Sequence, residues 1–180
     1  NVLDSGKQLT TIYVSQADTD YYFGVETIKE IFPKAEVVTT PAVLEKINAK
    51  LAGKLGFWGP KMGANAPRTP VLPKALSGNT LTVDGQTVEI RGTTGALAHR
   101  PYAWIPSIKA VVGNIGVFGT NMHVWTADTQ TVAERSAWVA QLDEMAALQP
   151  TVVVPGHMPA GTALDVSNVT YTKGYLQAFE

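Results

Sequence analysis

Val14-Ser15-Gln16-Ala17-Asp18-Thr19-Asp20-Tyr21-Tyr22-Phe23-Gly24 follows the apolar run Leu9-Thr10-Thr11-Ile12-Tyr13-Val14 and precedes a helical pattern. The apolar run reads as a buried strand. Two carboxylates, Asp18 and Asp20, therefore leave a strand-to-helix loop, a common location for ligand-binding and catalytic groups. Downstream, Phe23, Ile28, Ile31 and Phe32 fit one helical face, and Pro33 ends the helix. Ala35-Glu36-Val37-Val38-Thr39 reads as a second strand. Thr40 and Pro41 supply an N-cap and a first-turn proline, and Val43, Leu44, Ile47, Leu51 and Leu55 form the stripe of a long helix. Strand, helix, strand, helix in succession predicts parallel strands with helices packed on a sheet.

From Gly59 to Pro73 the sequence is rich in Gly and Pro without a period, which predicts a long loop. Beyond it the texture turns to β. Leu81-Thr82-Val83 and Thr87-Val88-Glu89-Ile90 flank Asp84-Gly85, a hairpin signal. Tyr102 to Ile105 and Lys109 to Val112 continue the pattern across Pro106-Ser107, and Val117-Phe118 adds a short strand. Thr131-Val132-Ala133-Glu134 is a capping box. It opens a helix carrying Trp138, Leu142 and Met145, which stops at Pro150. Thr151 to Val154 is a last buried strand running into Pro155-Gly156-His157, and a terminal helix spans about 166 to 179. Asn168-Val169-Thr170 matches a glycosylation sequon and is taken as chance.

With 180 residues, 45% hydrophobic and 16% charged, the chain suits one globular domain, residues 1–180. A formal net charge of −1 with no basic or acidic block argues against a nucleic-acid partner. No apolar run is long enough for a bilayer span, so no membrane partner is expected. The compartment stays open between cytoplasmic and periplasmic, for a soluble protein. The absence of cysteine excludes disulfides, thiolate nucleophiles and thiolate metal ligands. The first residue is Asn, so upstream sequence is an open matter.

In their order, Gly6 to Ile12, the Asp18-to-Gly24 loop, Phe32 to Val38, Trp104 to Gly113 and Val152 to His157 resemble the metallo-β-lactamase-like hydrolases. The resemblance covers nearly the whole chain. It is nearer to small hydrolase-like members than to antibiotic-degrading ones. It implies an α/β fold, an αββα sandwich of two sheets with helices on both outer faces. It also implies that the chain lacks the family's first strands, and hence that a homo-oligomer covers the shortened sheet.

The resemblance further implies seven metal-ligand positions, five His and two Asp. Gln16, Asp18 and Tyr21 stand at the three His positions of the first loop, with Asp20 at its Asp. Thr94 stands at the fourth His and Asn114 at the bridging Asp. His157 matches the last His. Five of seven thus differ, and a dinuclear zinc centre is not expected, because zinc prefers imidazole and thiolate. One divalent metal on Asp18, Asp20 and His157, assisted by Gln16 or Asn114, is the alternative, and its oxygen-rich donors suit Mg, Mn or Ca.

Asp20 and His157 are the candidate catalytic groups. Gln16, Tyr21, Trp58, Thr94, Asn114 and His123 are the candidate pocket residues, with Trp58 at the position of a substrate-facing aromatic. Each carries a plainer reading. Asp18 and Asp20 also suit a solvated turn that caps the next helix, His157 a turn histidine held by backbone, and His123 a structural contact. Trp104, Trp125 and Trp138 read as core. The function implied is a hydrolase-like protein with a degenerate metal site acting on a small ester or amide. The alternative is an inactive small-molecule binding module or an oligomeric interaction protein.

Overall fold

The computed structural model describes residues 2–180, in two compact units, Asn1–Ser77 and Gly78–Glu180. The first unit holds a parallel sheet of three strands in the order β1 (Thr11–Tyr13), β2 (Glu36–Thr39) and β3 (Lys74–Ala75). Helix α1 (Val25–Ile31) links β1 to β2, and α2 (Pro41–Met62) links β2 to β3. Thr40 caps α2, its Oγ1 accepting from Val43 N at 3.4 Å, with Pro41 in the first turn where a missing N–H costs nothing. The core of this unit is Val14, Ala17, Tyr22, Phe23, Val25, Val37, Val43 and Ile47.

Two sequence expectations need correcting here. Helix α2 does not stop before the Gly/Pro-rich stretch. It runs through Gly59 and Pro60 to Met62. Pro60 has no N–H to give the carbonyl four residues back, but it sits in the last turn, where the loss touches one bond and the helix ends at Met62. Ile28 and Ile31 do not face the core. They are exposed, and together with Leu3, Leu9, Ile12 and Phe32 they line an open groove of about 530 Å3 beside edge strand β1.

The second unit is a five-stranded sheet in the order β4 (Thr80–Val83), β5 (Gln86–Arg91), β6 (Tyr102–Ile105), β7 (Ala110–Val112) and β8 (Val152–Val153). The first four are antiparallel neighbours, and β8 pairs parallel to β7, with Ala110 opposite Val152 and Val111 opposite Val153. Asp84 and Gly85 join β4 to β5 with φ of 49° and 78°. Two left-handed residues in succession match the sheet's own twist.

The crossover from β7 to β8 carries α3 (Val132–Ala147), opened by the reciprocal Thr131–Glu134 capping box. Helix α4 (Ser167–Phe179) follows β8. Trp138, Leu142 and Met145 from α3 and Val169 and Leu176 from α4 pack with Tyr102, Trp104, Val111 and Val153 of the sheet. Val117-Phe118 forms no full strand, only a parallel bridge from Phe118 to His157. Trp125 is not core. It is exposed, and its Nε1 donates to Asp128 at 2.9 Å.

Asn168 of the sequon is fully buried. Its Oδ1 accepts from the Thr120 N–H and hydroxyl, and its Nδ2 donates to the Ala163 carbonyl. Among the described residues no helix is long and apolar enough to cross a membrane.

Candidate functional site

In the first unit the chain leaves β1 through Val14, Ser15 and Gln16, all buried, and enters a 3₁₀ turn at Thr19–Tyr21. The turn forms because Tyr21 N and Tyr22 N bond back to the carbonyls of Asp18 and Thr19, at 3.0 and 3.2 Å. Asp18 stands at the N-cap position of this turn but makes no side-chain cap bond. Its carboxylate faces a different element. Lys54 Nζ of α2 lies 3.3 Å from Asp18 Oδ1, with both side chains less than a third exposed. Asp20 is exposed and Tyr21 half-buried.

Tyr22, one residue on, is buried, and its hydroxyl has no hydrogen-bond partner. Burial and, second, the negative charge of Asp18 push its pKa up to about 12. Trp58 lies exposed further along α2, edge-to-face with Phe57, whose ring carries Lys61 Nζ at 3.4 Å.

In the second unit the structure brings Asn114 and His157 to one edge of the sheet. Asn114 follows β7 and is buried. Its Nδ2 donates to the Val154 carbonyl at 2.9 Å, and its Oδ1 accepts from Val117 N at 2.9 Å. The side-chain amide thus ties the loop after β7 to the exit of β8. Gly156 N to Val117 O at 2.9 Å and Gly119 N to His157 O at 2.8 Å extend the tie, and the His157 ring stacks on Phe118. A Cβ on Gly119 would sit 2.6 Å from Met158 Cβ, so only glycine lets the strands of this turn approach so closely.

Thr94 is exposed on the loop after β5. That loop and α3 residues Ala137, Ala140, Gln141 and Glu144 enclose an open cleft of about 530 Å3. His123 is exposed and stands with its Nδ1 2.9 Å from the Tyr175 hydroxyl, a contact of the structural kind.

These donors do not fit a dinuclear zinc centre. The sequence holds 3 His where the pattern uses five. Asn114 spends both ends of its amide on backbone, and Asp18 is engaged by an ammonium. No group of three or more His, Asp and Glu able to hold a metal ion occurs among the described residues.

Lys54 is the residue that sequence reading missed. It lies seven positions after Ile47 and eleven after Val43, on the inward stripe of α2, where a charge calls for a partner.

The raised Tyr22 pKa carries a pH expectation. Unfolded, the phenol ionises near the usual value of about 10. Folded, it stays neutral until about 12. The contribution is whole below pH 10 and is lost as pH rises towards 12. Tyr22→Phe should therefore fold at least as stably as wild type at pH 7 and lose less stability between pH 10 and 12. Urea titrations across that range check it, and parallel alkaline limbs for the two proteins would refute it.

No protein-family model and no curated protein sequence matches the chain. Solved structures do. A metallo-β-lactamase from Pontibacter korlensis superposes with a TM-score of 0.67 at 21% identity, over 97% of this chain and 72% of that one. The DIM-1 metallo-β-lactamase superposes at 0.69 and 17% identity, over 99% of this chain and 74% of that one. A metallo-β-lactamase family protein from Thermus thermophilus gives 0.64 at 15% identity, over 94% and 61%. Identities this low speak for architecture and not for activity. On that likeness along nearly its whole length, the chain has the metallo-β-lactamase fold.

Proposed function

We propose that this chain is a hydrolase-like protein of the metallo-β-lactamase fold that binds a small polar molecule without a dinuclear zinc centre. The observation that carries the reading is Asn114. At the position where the resemblance implies a bridging carboxylate, a neutral amide is committed to two backbone bonds. A group so used holds a turn in shape, and as a neutral amide it lacks the negative charge with which a bridging carboxylate holds two cations. Within the first unit, the loop after β1 carries neutral polar groups of its own, among them the half-buried phenol of Tyr21. Neutral donors and acceptors of that kind bind amides, esters and small carboxylates by hydrogen bonds.

Elemental analysis of protein purified without chelators, run beside ester and amide reporter substrates, tests this. The expected result is zinc well below two per chain and no turnover that a chelator abolishes. Thermal shifts should identify small polar ligands that stabilise the fold. Two zinc ions per chain, or hydrolysis lost to chelator and regained with zinc, would overturn the proposal and establish a metallohydrolase.

A further inference from the structure

We propose that the Lys54 ammonium takes the electrostatic place of a metal cation at Asp18, so that Lys54 and a divalent cation are mutually exclusive partners of that carboxylate. Whether the protein binds a small molecule does not enter the inference, which rests on the first unit alone.

Asp18 and Asp20 lie two residues apart in one turn, and the other polar groups of that loop, Gln16, Thr19, Tyr21 and Tyr22, are neutral. Two neighbouring carboxylates repel each other unless a cation intervenes. Asp18 does not spend its charge on capping its own turn. The cation that reaches it comes from a distant part of the chain, 36 residues on, with Nζ at 3.3 Å.

The placement of Lys54 is itself costly. It shares the face of α2 that buries Val43 and Ile47. A long side chain ordered there loses rotamer freedom and part of its hydration, and a charged partner offsets part of that cost. The pair is less exposed than an ordinary surface bridge, 28% for Lys54 and 30% for Asp18. Water screens it less than it screens a fully exposed pair.

The substitution has a chemical limit. An ammonium neutralises charge and donates hydrogen bonds, but it has no empty orbital. It cannot lower the pKa of a bound water as a metal ion does. A loop organised by Lys54 can orient a ligand's carbonyl or carboxylate but cannot supply metal hydroxide.

The test is competition, with the cation alone as probe. Thermal midpoints are measured for chelator-treated wild type, Lys54→Met, Lys54→Gln, Lys54→Arg and the double variant Lys54→Met/Asp18→Asn, each titrated with Mn2+, Ca2+ and Zn2+. Wild type and Lys54→Arg should not respond at millimolar cation. Lys54→Met and Lys54→Gln should melt below wild type and regain at least half of the lost midpoint with cation. The double variant should show no rescue.

Equal response of wild type and Lys54→Met would overturn the proposal, as would rescue that persists without Asp18. Should neither neutral variant fold, the wild type still decides. Amide signals of residues 16–22 should resist broadening by Mn2+ at tens of micromolar. Their selective broadening there would show that a cation binds while Lys54 is in place, and would refute the exclusion.

Discussion

Replacing Trp138 by alanine is expected to cost about 3–5 kcal/mol of folding stability, the range for deleting a buried aromatic. Trp138 is 1% exposed and sits on α3 between the sheet and the loop after β7. Its Nε1 donates to the Gly116 carbonyl at 2.7 Å, and the Arg100 guanidinium lies 4.8 Å from its ring centre. Truncation leaves a cavity, an unsatisfied buried carbonyl and a cation without its aromatic face. Three losses at one site make this a severe change. Trp138→Phe should recover the packing but not the hydrogen bond, and so fall between the two. Urea midpoints at constant slope measure the series. A loss under about 1 kcal/mol for Trp138→Ala would mean that the core around α3 relaxes freely, against the close packing that the fold requires.

The second large effect is Asn114→Asp, the change that would restore the bridging carboxylate. It is expected to destabilise by about 3–5 kcal/mol, the cost of a buried charge without its partner. One carboxylate oxygen could still accept from Val117 N. The other would face the Val154 carbonyl, acceptor against acceptor, at a position that is 2% exposed.

The pH dependence identifies the cause. Once protonated, the carboxyl group introduced by Asn114→Asp can donate to Val154 as the amide does, so folding raises its pKa. The folded state then binds the proton more tightly than the unfolded state. The deficit against wild type should shrink as pH falls and grow as pH rises. Paired unfolding curves from acid to neutral pH check this. A deficit that does not change with pH would assign the cost to shape and not to charge. Stabilisation of the variant by zinc would show that the turn still presents the carboxylate to metal.

Features set within a few residues were legible in the sequence. The Asp84-Gly85 hairpin, the Thr40 cap and the Thr131–Glu134 box each depend on local backbone geometry, and each is found as read. The resemblance put Asn114 at the bridging-carboxylate position, and the structure sets it just past the end of β7 with its amide on Val154. What Asn114 does there was not legible. An amide can offer its carbonyl to a metal or tie two backbone segments, and only the positions of Val117 and Val154 decide.

Lys54 was missed because helical periodicity identifies an inward face but not the carboxylate waiting across it. The exposure of Ile28 and Ile31 escaped for a related reason, since an apolar stripe does not say what, if anything, lies against it. Helix α2 ran past Gly59 because propensity at a helix end is a small term beside the turns already formed.

The Asn114 tie also bears on reversibility. Consider the two ligand patterns as neighbours on a map of sequences, one with a carboxylate at 114 and the other with the amide. A step from amide to carboxylate loses stability at once, because the Val154 carbonyl has lost its donor. Any return in metal affinity comes only after imidazoles stand at several other positions and Lys54 has let go of Asp18. Taken alone, the step at position 114 is therefore uphill. Marginal stability leaves room for few such steps before the chain no longer folds. On the function proposed above, Asn114 acts as a ratchet: a residue that serves the fold in a metal-free form makes that form hard to leave by a single substitution at its own position.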